Sequence, residues 1–444
     1  MTQPPIMRGA DRTFALMFLV MLTVAAANTA LQSVLPALGR SLGVRDQAVA
    51  AAFSVSALLW VVAAPFWANR SDRYGRRTMI LLGMSGLVAS LALCGLFLLA
   101  GINGWIPGAT AFTLFIFGRL LYGSLGAAAP PAVQALVAGS TTREERTKAL
   151  TLLASAFGLG TILGPALAPW LILGSIGAVE VGLAGPAFIG AAFGLLVLFT
   201  VRAMLPDDRA HPGQGGAQSA YPSIGGAPTG ASVRAATAPK GEAVGFLEPR
   251  VRAWMITGLV MGHAQAMTSQ AIGFLVIDRL GVAPAQALEP TGIVLMMGAG
   301  ASLLVQWGVI PLLDLSPRRL VLVGLAVSAA GMALTGLTTS LYGIATAYAL
   351  SSLGFGFARP GFTAGASLAV GPEGQASVAG KVTSVNGASF VLGPSIGVAL
   401  YEARQSLPYL TAAAACVVMV AYCWAALRDS AGPAARADQR DEGA

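Results

Sequence analysis

Charge is what this sequence has least of. Of its 444 residues only 10% are Asp, Glu, Lys or Arg, against roughly 25% in a soluble domain whose surface must face water. That deficit excludes a soluble globular protein of this size. A content of 55% hydrophobic residues and a mean hydropathy of +0.72 point to lipid in place of water. Cysteine is scarce too. Cys94, Cys416 and Cys423 all lie inside apolar runs, which argues against a disulfide framework and reads as small buried hydrophobes. Histidine occurs twice, as His211 and His263. None of the 19 acids falls near the middle of a long apolar run. An enzyme embedded in a bilayer needs clustered groups such as paired histidines or intramembrane carboxylates. Their absence argues against an enzyme, and neither a cofactor nor a metal is expected.

What is present is a series of long apolar runs. They fall at about 13–37, 48–68, 78–101, 109–139, 148–174 and 183–205, then at 251–278, 290–313, 319–339, 341–370, 378–402 and 408–428. A spanning helix needs ~20 mostly apolar residues, so the spacing predicts an all-α membrane protein of twelve transmembrane helices in two six-helix bundles, over 13–205 and 251–428. The first run is long and continues into this pattern, so it reads as a spanning helix rather than a cleaved signal. Between the bundles, 206–250 is rich in Gly, Pro, Ser and Ala without periodicity and reads as a flexible linker. Residues 1–12 form a short amino-terminal segment, and 429–444 read as a disordered tail.

The basic residues set the orientation. If the amino terminus is cytoplasmic, 21 of the 27 Lys and Arg fall in inside segments. The outside loops then hold four, Arg40, Arg45, Arg279 and Arg404, while Arg119 and Arg359 lie within helices. This asymmetry predicts both termini on the cytoplasmic side of the inner membrane and an even number of spans. It also accounts for the net charge of +8 without nucleic acid.

The halves repeat. Leu42-Gly43-Val44 matches Leu280-Gly281-Val282, which pairs Gln32 with Gln270. Gly158 and Gly164-Pro165 match Gly387 and Gly393-Pro394, and Asp72 with Arg76-Arg77 matches Asp314 with Arg318-Arg319. The offsets are 238, 229 and 242. Two parallel repeats place a central site near the bilayer midplane, at the seam between them.

Three local motifs stand out. Between the second and third helices, Ala68-Asn-Arg-Ser-Asp72-Arg-Tyr-Gly75-Arg76-Arg77 predicts a tight turn at Gly75 with cations beside it. In the fourth helix, Arg119 within Gly118-Arg119-Leu-Leu-Tyr-Gly123-Ser-Leu-Gly126-Ala127 is a charge placed in hydrocarbon, which costs at least ~2.5 kcal/mol on insertion scales and usually marks function. In the fifth, Gly158-Leu-Gly160-Thr-Ile-Leu-Gly164-Pro165 predicts close helix approach and a kink at the proline. Together these closely resemble the motifs of the major facilitator superfamily, over residues 13–428, and most closely its drug:proton antiporter branch with the tetracycline exporters. The departures are Ala68 and Ala168, where glycine is usual.

The resemblance implies the major facilitator fold and secondary active export of a small amphipathic drug or metabolite in exchange for protons, by alternating access. It implies that Asp72, Gly75, Arg76, Arg77, Arg119, Gly164 and Pro165 serve conformational latching and coupling. A proton-coupled importer of a small organic metabolite is the alternative. The expected partners are a small-molecule substrate, protons and the lipid bilayer, with the chain as a monomer.

Polar side chains within helices tend to face the bundle interior, because lipid cannot satisfy their hydrogen bonds. The cavity candidates are therefore Asn28, Gln32, Gln134, His263, Gln270, Gln306, Arg359 and Asn386. Tetracycline exporters of this branch carry an acid in the first helix. Here Val24 to Gln32 holds none, so coupling falls to Arg119, His263, Asp72, Asp278 or another route. The same absence argues for a neutral, zwitterionic or anionic substrate rather than a bare cation.

Overall fold

A computed structural model describes residues 6–141, 143–206, 244–313, 315–371 and 374–427. Within them the chain forms twelve long helical segments. The first half holds α1 (Ile6–Ser41), α2 (Asp46–Tyr74), α3 (Arg76–Ile102), α4 (Gly108–Ser140), α5 (Arg143–Leu167) and α6 (Gly185–Met204). The second holds α7 (Arg252–Leu280), α8 (Pro284–Leu313), α9 (Pro317–Leu337), α10 (Leu341–Leu368), α11 (Gln375–Ala403) and α12 (Leu407–Ala426). Ten of these are long and apolar enough to cross a bilayer by length and composition. The other two are α5, whose described apolar stretch is Ser155–Leu171, and α7, whose polar side chains lower its mean hydropathy; both line the central cavity described below. Large apolar side chains such as Leu96, Phe117, Leu196, Phe199, Val417 and Val418 are exposed, as a lipid-facing surface requires.

The packing shows the repeat directly. Within the first half α1 packs on α5 and α6, α3 on α4 and α6, and α2 on α4. Within the second, α7 packs on α11 and α12, α9 on α10 and α12, and α8 on α10. Each pair is the other's counterpart. Across the seam α2 meets α11 and α5 meets α8, again one relation seen twice. Successive spans alternate in direction, so the start of α1 and the end of α12 share one face. We call it the terminal face and its opposite the distal face.

Local chemistry explains the joints. Gly75 at φ 87° is the only residue between α2 and α3 and donates its N–H to Ser71 O at 3.0 Å. That positive φ strains any side chain, which explains glycine at this turn. Arg77 at the start of α3 donates Nη2 to Arg202 O at the end of α6, at 2.7 Å. In the second half Arg318 at the start of α9 donates to Trp424 O at the end of α12, at 2.8 Å. Both cations thus sit against the negative end of a helix. Gly43 and Gly281, the repeat-related stops after α1 and α7, share a left-handed conformation at φ 68° and 62°.

Four expectations are corrected. The fourth run is not one continuous α-helix: it breaks into a 3-10 turn over Gly126–Ala128, because Pro130 and Pro131 withhold two amides. Ala128 N–H turns to Leu125 O, and Trp67 Nε1 takes up the Ser124 carbonyl at 2.7 Å. The run over 290–313 widens to a π-helix at Leu304–Val309 ahead of Pro311. The run expected to reach residue 174 ends at Leu167. A 3-10 turn with Pro169 and a hairpin, β1 (Leu173–Ile176) with antiparallel β2 (Val179–Gly182), follow. Asn103 clamps this hairpin, accepting from Glu180 N at 2.9 Å and donating to Glu180 O at 2.8 Å. Finally, the linker expected to run to 250 is already docked at Val244, which is buried and donates its N–H to Ser377 Oγ at 3.0 Å.

Candidate functional site

A cavity of about 180 Å³ lies at the seam, lined from both halves. Gln32 and Ser33 on α1 and Thr161 and Pro165 on α5 come from the first half. Gln265 and Gln270 on α7, Gln306 on α8 and Arg359 on α10 come from the second. Leu295, Phe355 and Phe390 supply apolar surface. Among the described residues neither Asp nor Glu lines the cavity, and Arg359 is the one formal charge in its lining.

The repeat axis passes through this site. Gln32 Nε2 donates to Gln270 Oε1 at 3.3 Å, across the 238 positions that separate equivalent residues. Equivalent residues meet only beside the axis that relates the halves. Toward the distal face Gly273 packs on the Pro36 ring. Two turns from Gln32, another equivalent pair meets: Arg40 donates to both carboxylate oxygens of Asp278, also 238 positions away. Asp46 accepts from Arg40 at 2.7 and 3.1 Å, and Tyr401 Oη donates to Asp278 at 2.5 Å. Close by, Gln47 N–H donates to Glu402 Oε1 at 3.0 Å, again joining the two halves. The distal end of the seam is thus pinned by the Arg40–Asp278 ion pair, while its middle is held by amides and by the Ser54–Ser395 hydroxyl pair at 2.8 Å.

Four of the eight expected cavity residues, Gln32, Gln270, Gln306 and Arg359, come together in the lining. The other four stand outside it. Asn28 is fully buried and accepts from Arg119 Nη2 at 2.8 Å. Gln134 is buried in the second part of α4 and Asn386 in α11. His263 lies in a separate apolar groove between α7 and α12, with its Nδ1 2.8 Å from Leu259 O. The reason is azimuth. His263 and Gln265 are two residues apart, about 200° around a helix, so one faces the groove when the other faces the cavity. Gln265, Thr161 and Ser302 are lining residues that the sequence reading missed.

The coupling candidates separate in the same way. Pro165 lines the cavity, whereas Gly164 packs against α1. Arg119 is buried behind α1, against the rings of Phe53 and Tyr122 at 5.5 and 4.9 Å. The side chain of Asp72 lies outside the described residues, as does Asp314.

Two six-helix halves, a polar cavity on their common axis and an apolar outer surface define a polytopic membrane carrier. The Major Facilitator Superfamily profile matches residues 17–394, and the chain belongs to that family. Among curated proteins it is similar to multidrug resistance protein 2 of Bacillus subtilis, 33% identical over 150 residues, which is 34% of this chain and 32% of that protein. It is also similar to the class B tetracycline resistance protein of Escherichia coli, 34% identical over 145 residues, 33% of this chain and 31% of that protein. These alignments span about a third of each relative. Among solved structures, a bacterial homologue of the human lysosomal transporter Spinster, inward-facing and occupied, aligns over 95% of this chain and 97% of its own, with a TM-score of 0.67 at 13% identity.

Proposed function

We propose that this chain is a proton-coupled exporter that carries a small amphipathic molecule across the inner membrane by alternating access. The observation that carries the reading is a polar cavity on the repeat axis whose distal end, among the described residues, is the end held by an ion pair between the halves. A carrier closed at one face holds its site toward the other. The excess of basic residues in the terminal-face segments supports a cytoplasmic terminal face, so this state is the inward-facing one, ready to load from the cell. The drug-resistance names of both curated relatives favour export. With no acid among the described lining residues, the proton acts elsewhere. Among the described residues Asp278 and Glu402 are the acids that touch the opposite half, and both stand at the distal gate.

Inside-out vesicles decide the direction. With an acid lumen, the exporter accumulates a fluorescent amphipathic probe in the lumen, and an uncoupler abolishes the accumulation. Uptake driven by the proton gradient into intact cells, with none into inside-out vesicles, would establish the importer instead.

A further inference from the structure

The two intramembrane arginines are the same device built twice. Arg119 and Arg359 stand 240 positions apart, close to the spacing of the other repeat pairs. Each lies on the fourth helix of its half and donates Nη2 to an amide on the first. Arg119 donates to Asn28 Oδ1 at 2.8 Å, and Arg359 to Gln265 Oε1 at 2.6 Å. The copies differ in what surrounds the rest of the guanidinium. Arg119 is 1% exposed, packed against Phe53 and Tyr122, and absent from the cavity lining. Arg359 and Gln265 both line the cavity.

A guanidinium carries five N–H donors and stays charged. Among the described residues, Arg359 makes its one hydrogen bond to Gln265 and has no carboxylate in ion-pair reach. A buried cation without a counter-ion is costly. An oxyanion brought by a ligand removes that cost, and the guanidinium fork matches a carboxylate in two parallel bonds. Phe355, one turn from Arg359, together with Leu295 and Phe390, offers apolar surface for the remainder of such a ligand.

We propose that the cavity is an organic-anion site, in which Arg359, positioned by Gln265, receives the carboxylate of an amphipathic substrate. The Arg119–Asn28 pair is its sealed structural counterpart. This deepens the export reading and rests on the same cavity.

The test uses the full chain in detergent and three probes that share one ring system: 2-naphthoate, 2-naphthamide and 2-naphthylmethylamine. Isothermal titration is expected to rank naphthoate tightest, by roughly tenfold or more over the amide. Arg359→Gln erases that margin while measurable naphthamide binding remains, which also shows that the variant is folded. Arg359→Lys restores part of the margin, and Gln265→Leu narrows it. Should Arg359→Gln fail to fold, the charge order in the unaltered chain decides alone. Equal affinities, preference for the amine, absence of naphthoate binding, or displacement of naphthoate by equimolar inorganic phosphate would each overturn the assignment. Transport in vesicles without carboxylate preference removes this inference and leaves export standing. Carboxylate preference without transport does the reverse.

Discussion

Replacing Asp278 with asparagine is expected to release the distal gate. Arg40 binds both oxygens of Asp278, and Tyr401 donates to the same carboxylate at 2.5 Å. Removing the charge weakens the one ion pair that crosses the seam among the described residues, yet Arg40 keeps Asp46 within its own half. The loss therefore falls on the contact between halves rather than on the fold of either. Both side chains are about a fifth to a quarter exposed, so solvent screens part of the attraction, and a shift of roughly tenfold toward the distal-open state is expected. Arg40→Ala has the larger effect, because Asp46 and Asp278 then both lose their shared cation. The three native cysteines are buried, so a cysteine at cavity-lining Ser269 reports distal access cleanly. A membrane-impermeant maleimide added from the distal side is predicted to label it roughly tenfold faster in the Asp278→Asn background. Unchanged labelling would refute the gate.

The second large effect is expected at Gly164. A Cβ there would overlap Thr29 Oγ1 and lie 2.5 Å from Ala26 O and 2.7 Å from Ala30 N on α1. The last two are backbone atoms that cannot rotate away. A Cβ on Gly160, one turn earlier, would lie 2.6 Å from Leu22 O, and Thr29 Oγ1 donates to the Gly160 carbonyl at 3.3 Å. The α1–α5 interface is therefore built on glycine, as close packing in lipid demands. Gly164→Ala is predicted to destabilise by about 1–3 kcal/mol, and Gly164→Leu to yield no monodisperse protein. Gly158 belongs to the same motif, but a Cβ there meets nothing within 4 Å. Gly158→Ala is accordingly predicted to leave the melting temperature within about 2 °C, an effect under 0.5 kcal/mol. Melting curves and size-exclusion profiles of the three variants check the contrast; equal losses at 158 and 164 would remove the argument.

These two sites show how much was legible in the sequence. Hydropathy located the spans, and the repeated Leu-Gly-Val signature gave the offset of 238 that pairs Arg40 with Asp278 and Gln32 with Gln270. The Gly75 turn was readable because a residue between two abutting helices has few conformations available. Azimuth was not readable. Depth along a helix follows from residue number, but the direction of a side chain depends on which neighbours close around it. His263 therefore looked like a cavity group and Gln265 went unnoticed, although Gln265 stands 237 positions from Asn28, near the repeat spacing. The hairpin and the two helix interruptions were hidden for another reason. Apolar composition is the same in a regular helix, a π turn and a 3-10 turn, so only the prolines hinted at them.

If the two halves rock about an axis through Gln32 and Gln270, the one cavity opens to each face in turn. Electron–electron distance measurements between paired spin labels test it most directly. One pair, at exposed Ser41 and Gln286, spans the distal end of the seam, and a second, at Tyr74 and Leu312, spans the terminal end. During turnover the account predicts that the distal distance lengthens as the terminal distance shortens, in one linked change. Distances that stay fixed at both ends, or that lengthen together, would contradict it.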